Sequence, residues 1–62
     1  MQIGTIVRIH PNFLEPNEDG AILYRVVSAP NANHRIDIKP AEWEYKIVPI
    51  ESVHVCMVQE AI

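Results

Sequence analysis

Apolar residues along this chain recur at every second position, the period of extended strands and not the 3.6 of a helix. In the first such segment Ile3, Thr5, Val7 and Ile9 share one face, while Gly4, Ile6, Arg8 and His10 share the other. The run from His10 to Gly20 breaks this alternation. Pro11 and Pro16 cannot donate to a ladder, and Asn17 to Gly20 are turn formers. A long loop after the first strand is therefore predicted, with Phe13 and Leu14 folding back onto the body of the domain. A second strand is predicted over Ala21 to Ser28, with Ile22, Tyr24 and Val26 inward and Leu23, Arg25 and Val27 outward. Ala29-Pro30-Asn31-Ala32-Asn33 reads as a compact hairpin loop, because Asn tolerates left-handed backbone angles. From His34 to Lys39 the alternation returns, with Ile36 and Ile38 inward and Arg35, Asp37 and Lys39 outward.

The remainder predicts two more strands. Pro40-Ala41-Glu42 turns the chain into a fourth strand, Trp43 to Val48, with Trp43, Tyr45 and Ile47 on one face and Glu44 and Lys46 on the other. Pro49-Ile50-Glu51-Ser52 is expected to form a single 3-10 turn. A fifth strand then places Val53, Val55 and Met57 inward and His54, Cys56 and Val58 outward. No stretch carries a helical period long enough for a stable helix. The pattern predicts a single all-β domain over residues 1–62, a five-stranded barrel.

This order resembles the SH3-like barrel, whose hallmarks are a long loop after strand one, hairpins joining strands two to four, and a 3-10 turn before strand five. Gly4-Thr5-Ile6-Val7-Arg8-Ile9 resembles the opening strand of KOW and Tudor-like members. Gly20 to Val27 is similar to their second strand, and Ile47 to Val53 to their closing turn. The resemblance is one of pattern over nearly the whole chain, and the superfold hosts unrelated functions. An OB-like barrel is the alternative architecture, although the chain is short for one.

Size then sharpens the question of stability. A domain of 62 residues buries only about 60% of its unfolded surface. Such scaffolds are stabilised by disulfides, a metal or a partner. Cys56 is the only cysteine, so an intrachain disulfide is excluded and a reducing compartment is expected. Apolar residues at 48% with both signs of charge give a globular composition. The apolar runs are too short to span a bilayer, and no basic-then-apolar leader is seen, so a cytoplasmic location without membrane contact is expected. The net charge of −3 disfavours non-specific nucleic-acid binding, which needs Lys and Arg against phosphates.

Four constellations are candidates for chemistry. His10, His54 and Cys56 fall on the outward face and carry zinc-type donors, but three ligands without a recognised spacing are as well read as surface histidines and an inert thiol. Phe13, Tyr24, Trp43 and Tyr45 could form an aromatic cage for a methylammonium group, as in Tudor-like barrels. The inward parity of Tyr24, Trp43 and Tyr45 instead assigns these aromatics to the core, with Trp43 over its open end. Arg8, Arg25, Arg35 and Lys46, with Lys39, form an outward basic set of the kind that KOW-like barrels turn to RNA. Asp37, Glu42 and Glu44 are interleaved with it, and no exposed aromatic is placed to stack a base.

The fourth constellation is favoured. Ile6, Leu23, Val27 and Val58 are four aliphatics on the outward parity, where a solvated face should be polar. An adjacent set of this kind marks an interface, unless a neighbouring loop such as Phe13-Leu14 covers it. No nucleophile elbow, phosphate-cradling glycine loop or placed carboxylate pair is found. The expectation is a non-catalytic module without a cofactor that contacts another protein or a second copy of itself, with nucleic-acid association as the alternative.

Overall fold

The computed structural model describes residues 2–61. Five strands, β1 (Ile6–Ile9), β2 (Tyr24–Val26), β3 (Arg35–Pro40), β4 (Glu51–His54) and β5 (Val58–Glu60), form one antiparallel sheet in the order β4-β3-β2-β1-β5. Single 3-10 turns occupy Pro11–Phe13 and Val55–Met57, and no α-helix occurs among the described residues. The two outer strands, β4 and β5, are not hydrogen-bonded to each other, so the ladder stays open.

Register explains the core. Val26 lies opposite Ile38, Ile36 opposite Val53, and Ile9 opposite Val58, so buried side chains face one another across each strand pair. With Val7 these seven aliphatics form the buried cluster, and Leu14, Tyr24, Val55 and Met57 pack partly buried against it. Cross-strand apolar pairs of this kind are the unit of sheet stability.

The connections follow from local chemistry. Each 3-10 turn opens on a histidine whose Nδ1 accepts a backbone N–H two residues on: Asn12 to His10 at 3.2 Å and Cys56 to His54 at 3.1 Å. Pro11 begins the first turn, where its missing N–H costs nothing. Asn31 organises the β2–β3 hairpin through its side-chain oxygen, which accepts from the Asn33 and Arg35 amides at 2.9 and 3.0 Å. The left-handed residue of that hairpin is His34, with φ of 58°, and not an asparagine. Gly4 takes φ of 94° just before β1 while its N–H donates to Val26 at 2.8 Å, a conformation that favours glycine.

The last third of the chain departs from the sequence expectation in three linked ways. Trp43 to Val48 is not a strand; residues 41–50 form an irregular connection between β3 and β4. The partner of β3 is Glu51–His54, because that register sets Val53 against Ile36 inside the core. The 3-10 turn accordingly sits at Val55–Met57 and not at Pro49–Ser52. A 3-10 turn advances about 2.0 Å per residue, which breaks strand alternation. Val58 therefore re-enters on the inward face and is 6% exposed, although unbroken alternation had set it outward.

Candidate functional site

The inward face of the sheet runs out of aliphatics at one end. Beyond Val26 and Ile38 the next residues of the same parity are Tyr24 and Pro40, which lie opposite each other, and Glu51 stands across from Ile38. Connection 41–50 passes over this end. Two adjoining open grooves result. The larger, about 380 Å³, is lined by Ile22, Tyr24, Pro40, Glu42, Trp43, Pro49 and Glu51. The smaller, about 300 Å³, is lined by Ala21, Ile22, Leu23, Ala41 and Glu42.

The connection carries its own small scaffold. The Trp43 indole Nε1 donates to the Ile47 carbonyl at 2.8 Å, and the Tyr45 ring meets Trp43 edge-on with centroids 5.4 Å apart. This arrangement holds aromatic surface in the open instead of burying it. Trp43 is 45% exposed, Tyr45 70% and Ile47 85%, and Val48 and Ile50 are exposed with them. Ile22 and Leu23, just before β2, are also exposed and line the grooves. Burial first, then the nearby Glu51 and Glu18 carboxylates, push the Tyr24 phenol above its ordinary value. Both carboxylates thus bring negative potential to the groove floor.

Of the four expected interface residues, Ile6 and Val27 keep the outward parity of the sheet, while Leu23 lines the smaller groove. Leu23 is exposed, while Ile6 and Val27 are half-buried. Arg25, opposite Ile6 and between Leu23 and Val27 on β2, divides them. Val58 belongs to the core on the other side, so the four do not form one patch. A further exposed apolar set lies in the 41–50 connection, of which Trp43, Tyr45 and Ile47 had been expected on the inward face. Pro40 and Pro49, which bracket that stretch, were the available signal. Glu51, two positions before Val53, was a second, since it set a carboxylate on the inward parity.

The other candidates separate. His10 and His54 each use Nδ1 in a local turn, and among the described residues no group of three His, Cys, Asp or Glu side chains is placed to hold a metal ion. The His10 amide donates to the Met57 carbonyl at 2.7 Å, whereas the His54 ring faces His34 with centroids 6.0 Å apart. Cys56 is exposed. Of the aromatics, Tyr24 and Trp43 line one groove and Tyr45 leans on Trp43, but Phe13 packs edge-on against His10. The cations divide among three places. Arg25 lies directly opposite Lys39 on the outer face, and Arg8, two positions from Ile6 on β1, lies opposite Gln59. Arg35 is held by Ser52 through Nε to Oγ at 3.1 Å and Nη2 to the carbonyl at 2.6 Å. Lys46 stands in the 41–50 connection.

Compared with family models, with curated proteins and with solved structures, the chain matches none. No helix among the described residues is long and apolar enough to cross a membrane.

Proposed function

We propose that this chain is an SH3-like β-domain that acts without catalysis, as an accessory module contacting another protein. The fold part of the reading is supported by the long loop between β1 and β2, the tight β2–β3 hairpin, the antiparallel β1–β5 pair, and the 3-10 turn entering the last strand. The functional part rests on one observation: the 41–50 connection holds Trp43, Tyr45, Ile47, Val48 and Ile50 in solvent, with Trp43 sharing a groove with Ile22. A surface loop is ordinarily polar, and a contiguous apolar surface on a small domain marks a contact site. Aromatic anchors held rigidly before binding lose little entropy on association, and the Trp43–Ile47 hydrogen bond supplies that rigidity here.

The test is a photo-crosslinking amino acid installed in place of Ile47 in the native host, with the same probe at exposed Asn33 as control. The expected result is a discrete adduct with another polypeptide from position 47 and none from position 33. Equal, diffuse labelling from both positions would refute a contact role for this surface. Adducts only between copies of the chain would make it a self-association surface.

A further inference from the structure

We infer that the larger groove receives a lysine or arginine side chain presented by a segment of the partner polypeptide. The inference rests on the reading of the 41–50 connection as a protein contact surface and adds the chemistry of what it recognises. Its apolar lining comes from Ile22, Tyr24, Pro40, Trp43 and Pro49. Its polar groups are of one sign. Glu42 and Glu51 are the ionisable side chains lining it besides the Tyr24 phenol, and neither accepts a hydrogen bond from the described residues. Glu18 adds negative potential from the loop after β1, as its influence on Tyr24 shows.

A long cationic side chain satisfies both features at once. Its methylenes or guanidinium plane lie along aromatic and proline faces, and its charge meets the carboxylates at the rim. The volume of about 380 Å³ is at the lower end for ligand sites, suited to one side chain and not to a large cofactor. A phosphate or acidic peptide is opposed by both carboxylates, and a purely aliphatic side chain would leave them desolvated without a partner. Among the chain's own cations, Arg35 is engaged by Ser52, Arg25 and Lys39 stand on the opposite face of the sheet, and Lys46 stands in the 41–50 connection itself. Each copy carries a net charge of −3, so a basic segment of another protein fits the two carboxylates better than a second copy does.

Trp43 is the only tryptophan, so its fluorescence and its indole N–H resonance report on the groove alone. The probes are blocked decapeptides identical except at one central position, occupied by arginine, lysine, norleucine or glutamate. Arginine and lysine peptides are expected to shift the indole resonance saturably, with affinity falling as salt rises. Glu51→Gln and Glu42→Gln should each weaken their binding about three- to fivefold, the range an exposed charge pair supports, and leave norleucine binding unchanged. Both positions are exposed, so the variants keep the fold, and far-UV circular dichroism checks this. Norleucine binding as tightly as lysine would overturn the inference while leaving the contact surface standing. A concentration-dependent dimer in sedimentation that shields Trp43 and bars the lysine peptide would also overturn it. Absence of any peptide effect, with a discrete position-47 crosslink to another protein, would place recognition outside the groove and overturn it as well.

Discussion

Val58→Ala compared with Cys56→Ala tests the step by which the chain enters its last strand. The 3-10 turn at Val55–Met57 interrupts strand alternation, so Val58 closes the core opposite Ile9 while Cys56 faces solvent. Removing two methyl groups at a position 6% exposed loses about 1.6 kcal/mol of transfer free energy, at about 0.8 kcal/mol each. The cavity left behind raises the cost to about 2–3 kcal/mol. A domain of this size has a total stability of about 3–9 kcal/mol, so this is a large fraction of it. With each kcal/mol worth about 4–8 °C in a small domain, the melting temperature should fall by about 10–20 °C. Cys56→Ala should stay within about 0.5 kcal/mol of the parent, as exposed substitutions do. Urea unfolding followed by far-UV circular dichroism measures both, and an unchanged m-value would show that the unfolding unit is the same. If Val58→Ala costs less than about 0.5 kcal/mol while Met57→Ala costs more than 2, the strand alternates unbroken from Val53 and the turn is wrongly placed.

Two further outcomes follow from the backbone and from one phenol. Gly4→Ala should destabilise by about 1–3 kcal/mol, because an L residue is strained at φ of 94° and a Cβ there would meet no atom within 4 Å to offset the strain; thermal denaturation reads this, and a neutral result would mean that the β1 entry adopts another conformation. Tyr24 has a folded-state pKa raised above 10.0, so its contribution is fully present below pH 10 and is lost as pH rises through the folded value. Tyr24→Phe should therefore flatten the alkaline fall in stability that begins near pH 10, measured by denaturant titration at each pH, and an unchanged slope would remove Tyr24 as its source.

The parts of the fold legible in the sequence are those where alternation and burial coincide. Val7 and Ile9, Val26, Ile36 and Ile38 all lie on the inward face that period-two reading assigned to them. The long loop after β1 and the hairpin at Asn31 followed from proline and asparagine chemistry. The last third misled because alternation is a necessary property of a half-buried strand but not a sufficient one. Trp43-Glu44-Tyr45-Lys46-Ile47 alternates well, yet β3 has only one free edge, and Glu51–His54 occupies it. Which of two segments wins that edge depends on whether Val53 can reach Ile36, a non-local fact that periodicity does not carry. A one-residue change of phase then moved Val58 from one face to the other. The candidate groove was hidden for the same reason, since its walls come from β2, β3, the connection and β4 together.

The displaced segment also separates what stabilises this domain from what it exposes to solvent. The seven buried residues are all valine or isoleucine, drawn from all five strands, and none comes from residues 41–50. A core of β-branched aliphatics brings the strands close, and a Trp or Tyr ring of 150–250 Å² would have to displace several of them to enter. Exclusion of Trp43 and Tyr45 is thus a consequence of core size and not a defect of packing. Once outside, the rings make contacts within their own segment, the indole to the Ile47 carbonyl and the phenol ring to the indole. Substitutions at Tyr45 or Ile47 therefore test the proposed contact while the seven-residue core, and the fold it supports, stays intact.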